Sequence, residues 1–448
     1  MLDQIFRTYD IRGNYPDEID EQIAFKIGYC LGKMFEGREA VIANDPRETS
    51  QKLIVPLASG LEKSGKAVLY LGEGATEVIY YAVSSMNLNL GVQITASHNP
   101  WVQTGFKIVR EHALPLSLGD GLARLKKEVS DCKLNYDGQE PKGIKQIDLK
   151  NKYEDFTLGL LENSQNLEGK IQIFAFSSAG ADLARAIFPK TKIKAEIITL
   201  AKDELGESGP NPMLEPNQEI VKKRLNSDCD FAIMLDGDSD RVMLINPKNK
   251  AVISNDKLAG LIASSVLENK KGSLVFDLRK KMVMQKVAKE YGVFLFQSYA
   301  GYPFVKEKMM QEQAVFGGEN AGHFFYPESN YAENSMYSIL LLKKFLSDKK
   351  QNLDQALAKF SDIYSIPEQN FDLSKNPSFD FTKIQEKIKQ EFKDDKIEIS
   401  DGIVIDGGDF YLNLRASQTE PVLRLNIEST SEDKLKQIFE KVKELIEQ

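Results

Sequence analysis

One recurring arrangement limits what this chain can fold into. A short apolar run stops abruptly at turn-forming polar residues, and a stretch with helical periodicity follows. Strands are expected at 40–43, 67–71 and 91–96, with helices at 18–35 and 49–63. The pattern returns as a helix at 149–162, a strand at 171–175, a turn at 177–180, a helix at 181–187 and a strand at 231–235. It returns again with strands at 273–277 and 293–297 and helices at 280–291 and 303–311. Strands that alternate with helices build βαβ units and mostly parallel sheets. A chain of 448 residues is also too long for a single core.

The expected fold class is therefore α/β, with three similar domains of mixed, mostly parallel sheets and a C-terminal α+β domain. The boundaries come from composition. The polar stretch 133–143 carries Gly and Pro without an apolar period and reads as a linker. A loop with three prolines covers 209–217, and 365–379 is loop-like. The last part then has a helix at 381–392, strands near Ile397, Ile403, Tyr411 and 422–428, and a closing amphipathic helix at 432–446. The expected domains are 1–145, 146–248, 249–364 and 365–448.

Charge and composition exclude several functions. With 42% hydrophobic and 28% charged residues and a net charge of −8, the chain reads as a soluble globular protein, and a basic nucleic-acid surface is not expected. No run of 18 apolar residues occurs, and Met1-Leu-Asp-Gln4 does not open like a signal peptide, so neither membrane nor export is expected and the location is read as cytoplasmic. Cys30, Cys132 and Cys229 are odd in number and lack metal-type spacing, which reads as reduced structural thiols. There is no clear oligomerisation signal, and the expectation is a monomer or weak homodimer.

The chemistry is expected at Thr95-Ala-Ser-His-Asn-Pro100, where a buried strand ends in exposed-turn residues and presents the Ser97 hydroxyl. The next strand brings Lys107 close as an acid/base or charge partner, with His98 adjacent. Asp236-Gly-Asp-Ser-Asp-Arg241 follows an apolar strand and sets three carboxylates at alternate positions beside Arg241. Such a charge cluster calls for a hard cation, Mg²⁺ or Mn²⁺. An EF-hand is rejected because Arg241 stands where that loop needs Gly. Gly317-Gly-Glu-Asn-Ala-Gly-His323 places Glu319 and His323 in one Gly-rich loop suited to sugar hydroxyls. Arg415-Ala-Ser-Gln-Thr419 gathers Arg415, Ser417, Gln418 and Thr419 between two strands, as a phosphate loop or a polar hairpin turn. Tyr9, Arg12 and Arg47 read as anion contacts or surface ion pairs. Gly60-Leu-Glu-Lys-Ser-Gly-Lys66 is not a P-loop, because Ala67 replaces the required Ser or Thr and a strand follows.

Taken in order, Tyr9-Asp-Ile-Arg-Gly13, Thr95-Ala-Ser-His-Asn-Pro100, Asp236-Gly-Asp-Ser-Asp-Arg241, Gly318-Glu-Asn-Ala-Gly-His323 and Arg415-Ala-Ser-Gln-Thr419 resemble the α-D-phosphohexomutases over nearly the whole chain. The resemblance implies four domains around a central cleft and an isomerase that interconverts hexose 1-phosphate and hexose 6-phosphate. It implies a phosphoserine at Ser97 and Mg²⁺ held by Asp236, Asp238, Asp240 and that phosphoserine. It also implies a hexose 1,6-bisphosphate intermediate, with His98, Lys107 and Arg241 in the catalytic machinery. Tyr9, Arg12, Glu319, Ala321, His323, Arg415, Ser417, Gln418 and Thr419 would bind the phosphosugar.

The segment Phe6-Arg-Thr-Tyr-Asp-Ile-Arg-Gly13 is similar to that of phosphomannomutases and dual phosphomannomutase/phosphoglucomutases, which points to mannose or glucose. A glucosamine-phosphate mutase and a phosphosugar-binding protein with little turnover are the alternatives. The chain departs from the family pattern at Thr104, Ser239, Ala321 and Gln418. It departs more consequentially at Arg279, where Lys is common, and at Tyr302, where the usual segment ends in Gly-His.

Overall fold

A computed structural model describes residues 2–373, 380–417 and 422–447. The chain divides into two compact units, Met1–Ser254 with His323–Asp348, and Asn255–Gly322 with Lys349–Gln448. The architecture is α/β with mixed sheets, as expected from the alternation of elements.

In the first unit, strands β1 (Ile11–Asn14), β2 (Glu39–Asn44), β3 (Ala67–Glu73), β4 (Leu90–Ile94), β5 (Gln103–Arg110), β6 (Leu114–Pro115) and β7 (Ile144–Gln146) form one sheet. Its order is β1-β5-β4-β2-β3-β7, with β6 on β5. The strands from β4 to β7 along this path run parallel, whereas β5 runs antiparallel to both β4 and β1. Helices Glu21–Met34 and Ile54–Lys63 cover one face. Their backbones nearly touch: a Cβ on Gly60 would lie 2.1 Å from the Phe25 carbonyl oxygen, so only glycine fits that crossing. The helix expected at 49–63 is in fact two, Glu48–Lys52 and Ile54–Lys63, broken at Leu53. Pro56 is the physical reason, since it has no N–H to bond the Lys52 carbonyl. Lys66 donates to the carbonyls of Phe35 and Glu36 at the end of helix Glu21–Met34, at 2.5 and 3.0 Å, a structural role that agrees with setting the P-loop-like run aside.

The second sheet consists of β8 (Glu168–Ala175), β9 (Lys192–Thr199), β10 (Phe231–Leu235), β11 (Val242–Ile245) and β12 (Val252–Ile253), in the order β12-β11-β10-β8-β9. β8, β9 and β10 are parallel, and β11 returns antiparallel beside β10. Ser177 caps helix Ser178–Ile187 by accepting the Ala179 N–H, so that helix starts earlier than the expected 181. The expected loop at 209–217 ends sooner than its prolines suggested. Helix Glu215–Lys222 begins inside it, with Pro216 in the first turn, where a missing N–H costs nothing.

The second unit holds the parallel strands β13 (Leu274–Asp277), β14 (Leu295–Ser298) and β15 (Phe316–Gly318). The hairpin of β16 (Phe324–Tyr326) and β17 (Ala332–Glu333) belongs to the first unit. A six-stranded antiparallel sheet in the second unit comprises β18 (Tyr364–Ser365), β19 (Gln369–Asp372), β20 (Lys396–Ser400), β21 (Gly402–Asp406), β22 (Phe410–Ala416) and β23 (Val422–Ser429). β18 and β19 correct the expectation of a loop from 365; their pairing with β23 orders a polar stretch that has little strand character of its own. Helix Asn255–Leu267 was not anticipated either, because nearly all its residues are buried and it lacks the polar face that makes a helical period visible.

Glu428 on β23 ties this sheet to helix Met282–Tyr291. Its Oε2 accepts the N–H groups of Lys281 and Met282 at 2.6 and 3.0 Å. Burial, then the neighbouring Asp256, pushes its carboxyl up to about 7, against the attraction of Lys280. A carboxyl raised in the folded state contributes stability below its unfolded value, and that stability is lost as pH rises through about 7. Glu428→Gln keeps an acceptor for the helix but cannot ionise. Denaturant unfolding at pH 5 and pH 8 is expected to show wild type losing up to about 3 kcal/mol relative to this variant over that range.

Candidate active site

Within the first unit two loops meet, each leaving the carboxyl end of a strand that has one parallel and one antiparallel neighbour. Such strand ends are where open α/β sheets bind ligands. β4 stops at Ile94, and Thr95, Ala96 and Ser97 continue out of the pleat. Ser97 adopts a left-handed backbone, with φ of +53°, and is fully buried. Its Oγ donates to Asp236 Oδ2 at 2.9 Å and lies 3.3 Å from His98 Nδ1. The second loop follows β10 and carries Asp236, Asp238 and Asp240, all buried. Gly237 permits the approach, since a Cβ there would sit 2.6 Å from the Ser97 carbonyl oxygen.

Three buried carboxylates repel one another, at a cost on the order of 4 kcal/mol per pair at 4 Å under an effective dielectric of ~20. Lys107, near the middle of β5, offsets part of this. Its Nζ donates to Asp238 Oδ2 at 2.6 Å and also to Asp240 Oδ2. Burial disfavours the Lys107 charge, but Asp238 and Asp240 outweigh it and raise the ammonium above its ordinary range. The same balance works on Asp238, where burial is outweighed by Lys107 and by Thr76, whose Oγ1 donates to Asp238 Oδ2 at 2.6 Å, so the carboxyl is held low. Lys107 thus sits as a charge partner of the acidic loop, one of the two roles expected of it. Asp236 is left with Arg241, whose Nε is 3.6 Å away, and burial followed by repulsion from Asp238 and Asp240 pushes it up to about 7. His98 is held well below its usual range by burial and then by Arg241 and Arg12, so its imidazole is neutral at neutral pH.

The donor set fits a hard divalent cation. Oxygens of Asp236, Asp238 and Asp240 all lie within 4.8 Å of one another. Asp238 Oδ1 and Asp240 Oδ1 are buried and accept no hydrogen bond among the described residues. Two cationic side chains against three carboxylates leave the loop short of positive charge, and oxygen-only ligands suit Mg²⁺.

The remaining expected residues are distributed between the units. Arg12 reaches this site, donating to the Ala96 carbonyl at 3.2 Å and to Asn99 Oδ1 at 3.0 Å, while Asp10 accepts from its Nε at 2.7 Å. Tyr9 is half-buried in the bend before β1. His323 lies in the first unit, with Nδ1 3.4 Å from Glu333 Oε1 and 3.7 Å from Asp240 Oδ1. Glu319 and Ala321, only a few residues away in sequence, belong to the second unit, so one Gly-rich loop divides between the two. There Glu319 Oε1 accepts from Arg279 Nη2 at 2.9 Å, and Arg279 also grips both oxygens of Asp277. Arg415 is nearly buried at the end of β22, its charge disfavoured by burial and then by Arg279, and it faces Asp401 at 3.8 Å. The Ser417 N–H donates to the Val422 carbonyl at 2.8 Å. Gln418 and Thr419 lie outside the described residues.

Other residues of the site were not found from sequence. Thr76 and Glu77 open helix Thr76–Ser85; Thr76 holds the acidic loop, and Glu77 accepts the Ser335 N–H and hydroxyl at 2.6 and 2.9 Å. Burial raises the Glu77 carboxyl to about 8. Their only sequence signal is a Thr-Glu pair just after a strand end. Arg47 was read as an anion contact or a surface ion pair and is neither. It is buried, and its guanidinium is occupied by Asp45 and by main-chain carbonyls of the Ser97 loop.

A serine hydroxyl set against an acidic, cation-short loop is the kind of site that serves phosphoryl transfer. Comparison with known proteins gives the same class. Residues 3–128, 254–364 and 370–445 match, respectively, the phosphoglucomutase/phosphomannomutase α/β/α domain I, α/β/α domain III and C-terminal domain. The chain is 31% identical over 451 residues to a phosphomannomutase of Methanocaldococcus jannaschii, covering 99% of this chain and 97% of the relative. It is 31% identical over 436 residues to an Escherichia coli K12 phosphomannomutase, covering 95% and 94%. A phosphoglucomutase/phosphomannomutase family protein from Burkholderia thailandensis has the same fold, with a TM-score of 0.85 at 24% identity, covering 99% of this chain and 96% of that one. The chain belongs to the α-D-phosphohexomutase family and is an isomerase of that class.

One departure from the family pattern has a local consequence. Ser239, where Gly is common, has φ of +65° and a buried Oγ without a hydrogen-bond partner among the described residues. A left-handed serine costs on the order of 1–2 kcal/mol and an unsatisfied hydroxyl about 1–3 more, against about 1 for the extra freedom of unfolded glycine. Ser239→Gly is expected to raise stability by roughly 1 kcal/mol or more, read as a higher Tm in differential scanning calorimetry.

Proposed function

We propose that this protein interconverts hexose 1-phosphate and hexose 6-phosphate, with mannose or glucose as the sugar, through a phosphoserine at Ser97. The observation that carries the reading is the hydrogen bond from Ser97 Oγ to the acidic loop at Asp236. It sets a hydroxyl able to carry phosphate beside carboxylates able to hold a cation. Asp236, Asp238 and Asp240, together with the phosphoserine, would hold Mg²⁺, which when bound supplies Lewis-acid stabilisation of phosphoryl charge.

In the forward half-reaction the bond between phosphorus and Ser97 Oγ breaks as a sugar hydroxyl forms the new one, and the proton that hydroxyl loses ends on Ser97 Oγ, giving hexose 1,6-bisphosphate and free serine. The bisphosphate reorients and returns its other phosphate to Ser97. His98, 3.3 Å from Ser97 Oγ, or Lys107 would carry the proton that the serine hydroxyl gives up when it is phosphorylated again. Lys107 pairs with Asp238 and Asp240, while Arg241, beside Asp236, would offset charge on the moving phosphoryl group. Tyr9, Arg12, Glu319, Ala321 and His323 would contact the sugar, and Arg415, Ser417, Gln418 and Thr419 the phosphate that is not reacting. Four domains at 1–145, 146–248, 249–364 and 365–448 are part of the same reading, supported by the family matches to domains I, III and IV. Their relatives' names favour mannose phosphate, which the phosphomannomutases act on.

The measurement is conversion of mannose 1-phosphate to mannose 6-phosphate with Mg²⁺ and a trace of glucose 1,6-bisphosphate, repeated with glucose and glucosamine phosphates. Ser97→Ala is expected to lose at least about a thousandfold in kcat, and EDTA to abolish turnover until Mg²⁺ is restored. Undiminished activity in Ser97→Ala would overturn the phosphoserine reading. Faster turnover of glucosamine 1-phosphate would overturn the sugar assignment, and binding of phosphosugars without turnover would make this a binding protein.

A further inference from the structure

Arg47 follows β2 in the turn Asp45-Pro-Arg47 and is among the largest fully buried side chains of the chain. Nη1 donates to the Pro100 carbonyl at 2.7 Å and more weakly to that of Gln103 at 3.4 Å. Nη2 donates to the Ser97 carbonyl and, at 2.8 Å, to that of Asn99. Nε donates to Asp45 Oδ2 at 2.9 Å. That same oxygen accepts the Thr95 hydroxyl at 2.6 Å, and Thr95 Oγ1 in turn accepts the Ser97 N–H at 2.8 Å. Both sides of Ser97 are thus fixed to one ion pair, its N–H through Thr95 and Asp45 and its carbonyl directly by Arg47.

This geometry answers a specific problem. Ser97 has a left-handed backbone, which a residue with a side chain keeps only when its surroundings over-determine it. The planar guanidinium fork reaches four carbonyls in different directions, whereas an ammonium offers donors from one point only. With those donors engaged inside the protein, Arg47 is not available to an external anion.

We propose that Arg47 is a positioning residue for phosphoryl transfer: by gathering the carbonyls of Ser97, Asn99, Pro100 and Gln103, it holds Ser97 in the backbone form that aims Oγ at Asp236. The inference rests on the reading of Ser97 as the phosphate carrier. It adds a residue that touches neither sugar nor phosphate and acts through the loop.

The chain carries a built-in reporter. Trp101, its only tryptophan, lies in the same loop with its ring 5.2 Å from the Arg47 guanidinium carbon. R47K and R47M are made in the full chain and compared with wild type in four measurements. These are Tm, Trp101 emission and acrylamide quenching, the rate of Ser97 phosphorylation by glucose 1,6-bisphosphate followed by intact mass, and steady-state kcat and KM. Displacement of the nucleophile by about an ångström costs on the order of a hundredfold, so kcat and the phosphorylation rate are expected to fall about tenfold in R47K and a hundredfold in R47M, with KM nearly unchanged. Trp101 emission is expected to shift to the red and quench more readily.

A folded R47K that phosphorylates Ser97 at the wild-type rate with unaltered Trp101 emission overturns the proposal, as does a loss that follows Tm alone. If R47M does not fold, R47K decides. If wild-type Ser97 takes up no phosphate, the phosphoserine reading fails by itself. The holding of the loop by Arg47 is then judged on Trp101, where unchanged emission and quenching in R47K refute it.

Discussion

The first unit depends on one shared ammonium. Lys107 stands on a strand of the first sheet, yet its partners Asp238 and Asp240 belong to the loop after β10 of the second. Without that charge, two buried carboxylates would face one another with little to offset them, and the loop could not remain folded against Ser97 in an ionised form. With it, Asp238 is held low, while burial and then Asp238 and Asp240 push Asp236 up. The acidic loop is therefore uneven: Asp238 is held by the ammonium, while Asp236 accepts from the serine hydroxyl.

The support around this centre comes from consecutive residues with different partners. Thr76 holds the acidic loop through both its hydroxyl and its N–H, which donates to the Asp238 carbonyl at 3.0 Å. Glu77, next in sequence, accepts both donors of Ser335, two residues beyond Glu333. One helix N-terminus thus fixes the metal-type loop on one side and the His323-bearing hairpin on the other. The positive end of the helix also favours the negative charge gathered there. Glu77 is raised by burial and keeps its hydrogen bonds, so its cost is borne by the packing of the surrounding first unit.

The centre of the site was legible in the sequence because its parts are local. Ser97 and the three aspartates each follow an apolar run that reads as a strand, and the point where the run stops is visible in the residues themselves. Arg47 and Glu77 were illegible for the opposite reason. Glu77 meets its partner 258 positions away, and Arg47 reaches carbonyls about 50 residues on, so no local pattern marks either as structural. The fold followed the same rule. The amphipathic closing helix Glu432–Glu447 was foreseen almost to its ends, whereas helix Asn255–Leu267 escaped notice because it is buried on nearly every side.

The departures from the family pattern also become physical statements. Arg279 stands where Lys is common, and a lysine could place one charged atom between Asp277 and Glu319. The guanidinium instead bonds both oxygens of Asp277, at 3.0 and 2.7 Å, and still reaches Glu319 at 2.9 Å. Asp277 Oδ2 accepts the Asn320 N–H as well, at 2.5 Å. The substitution therefore tightens the Gly-rich loop from two sides, where a single ammonium would have had to divide itself. The same guanidinium disfavours the charge on Arg415. The exchange of Lys for Arg thus trades a mobile point charge for a rigid fork without removing the positive charge.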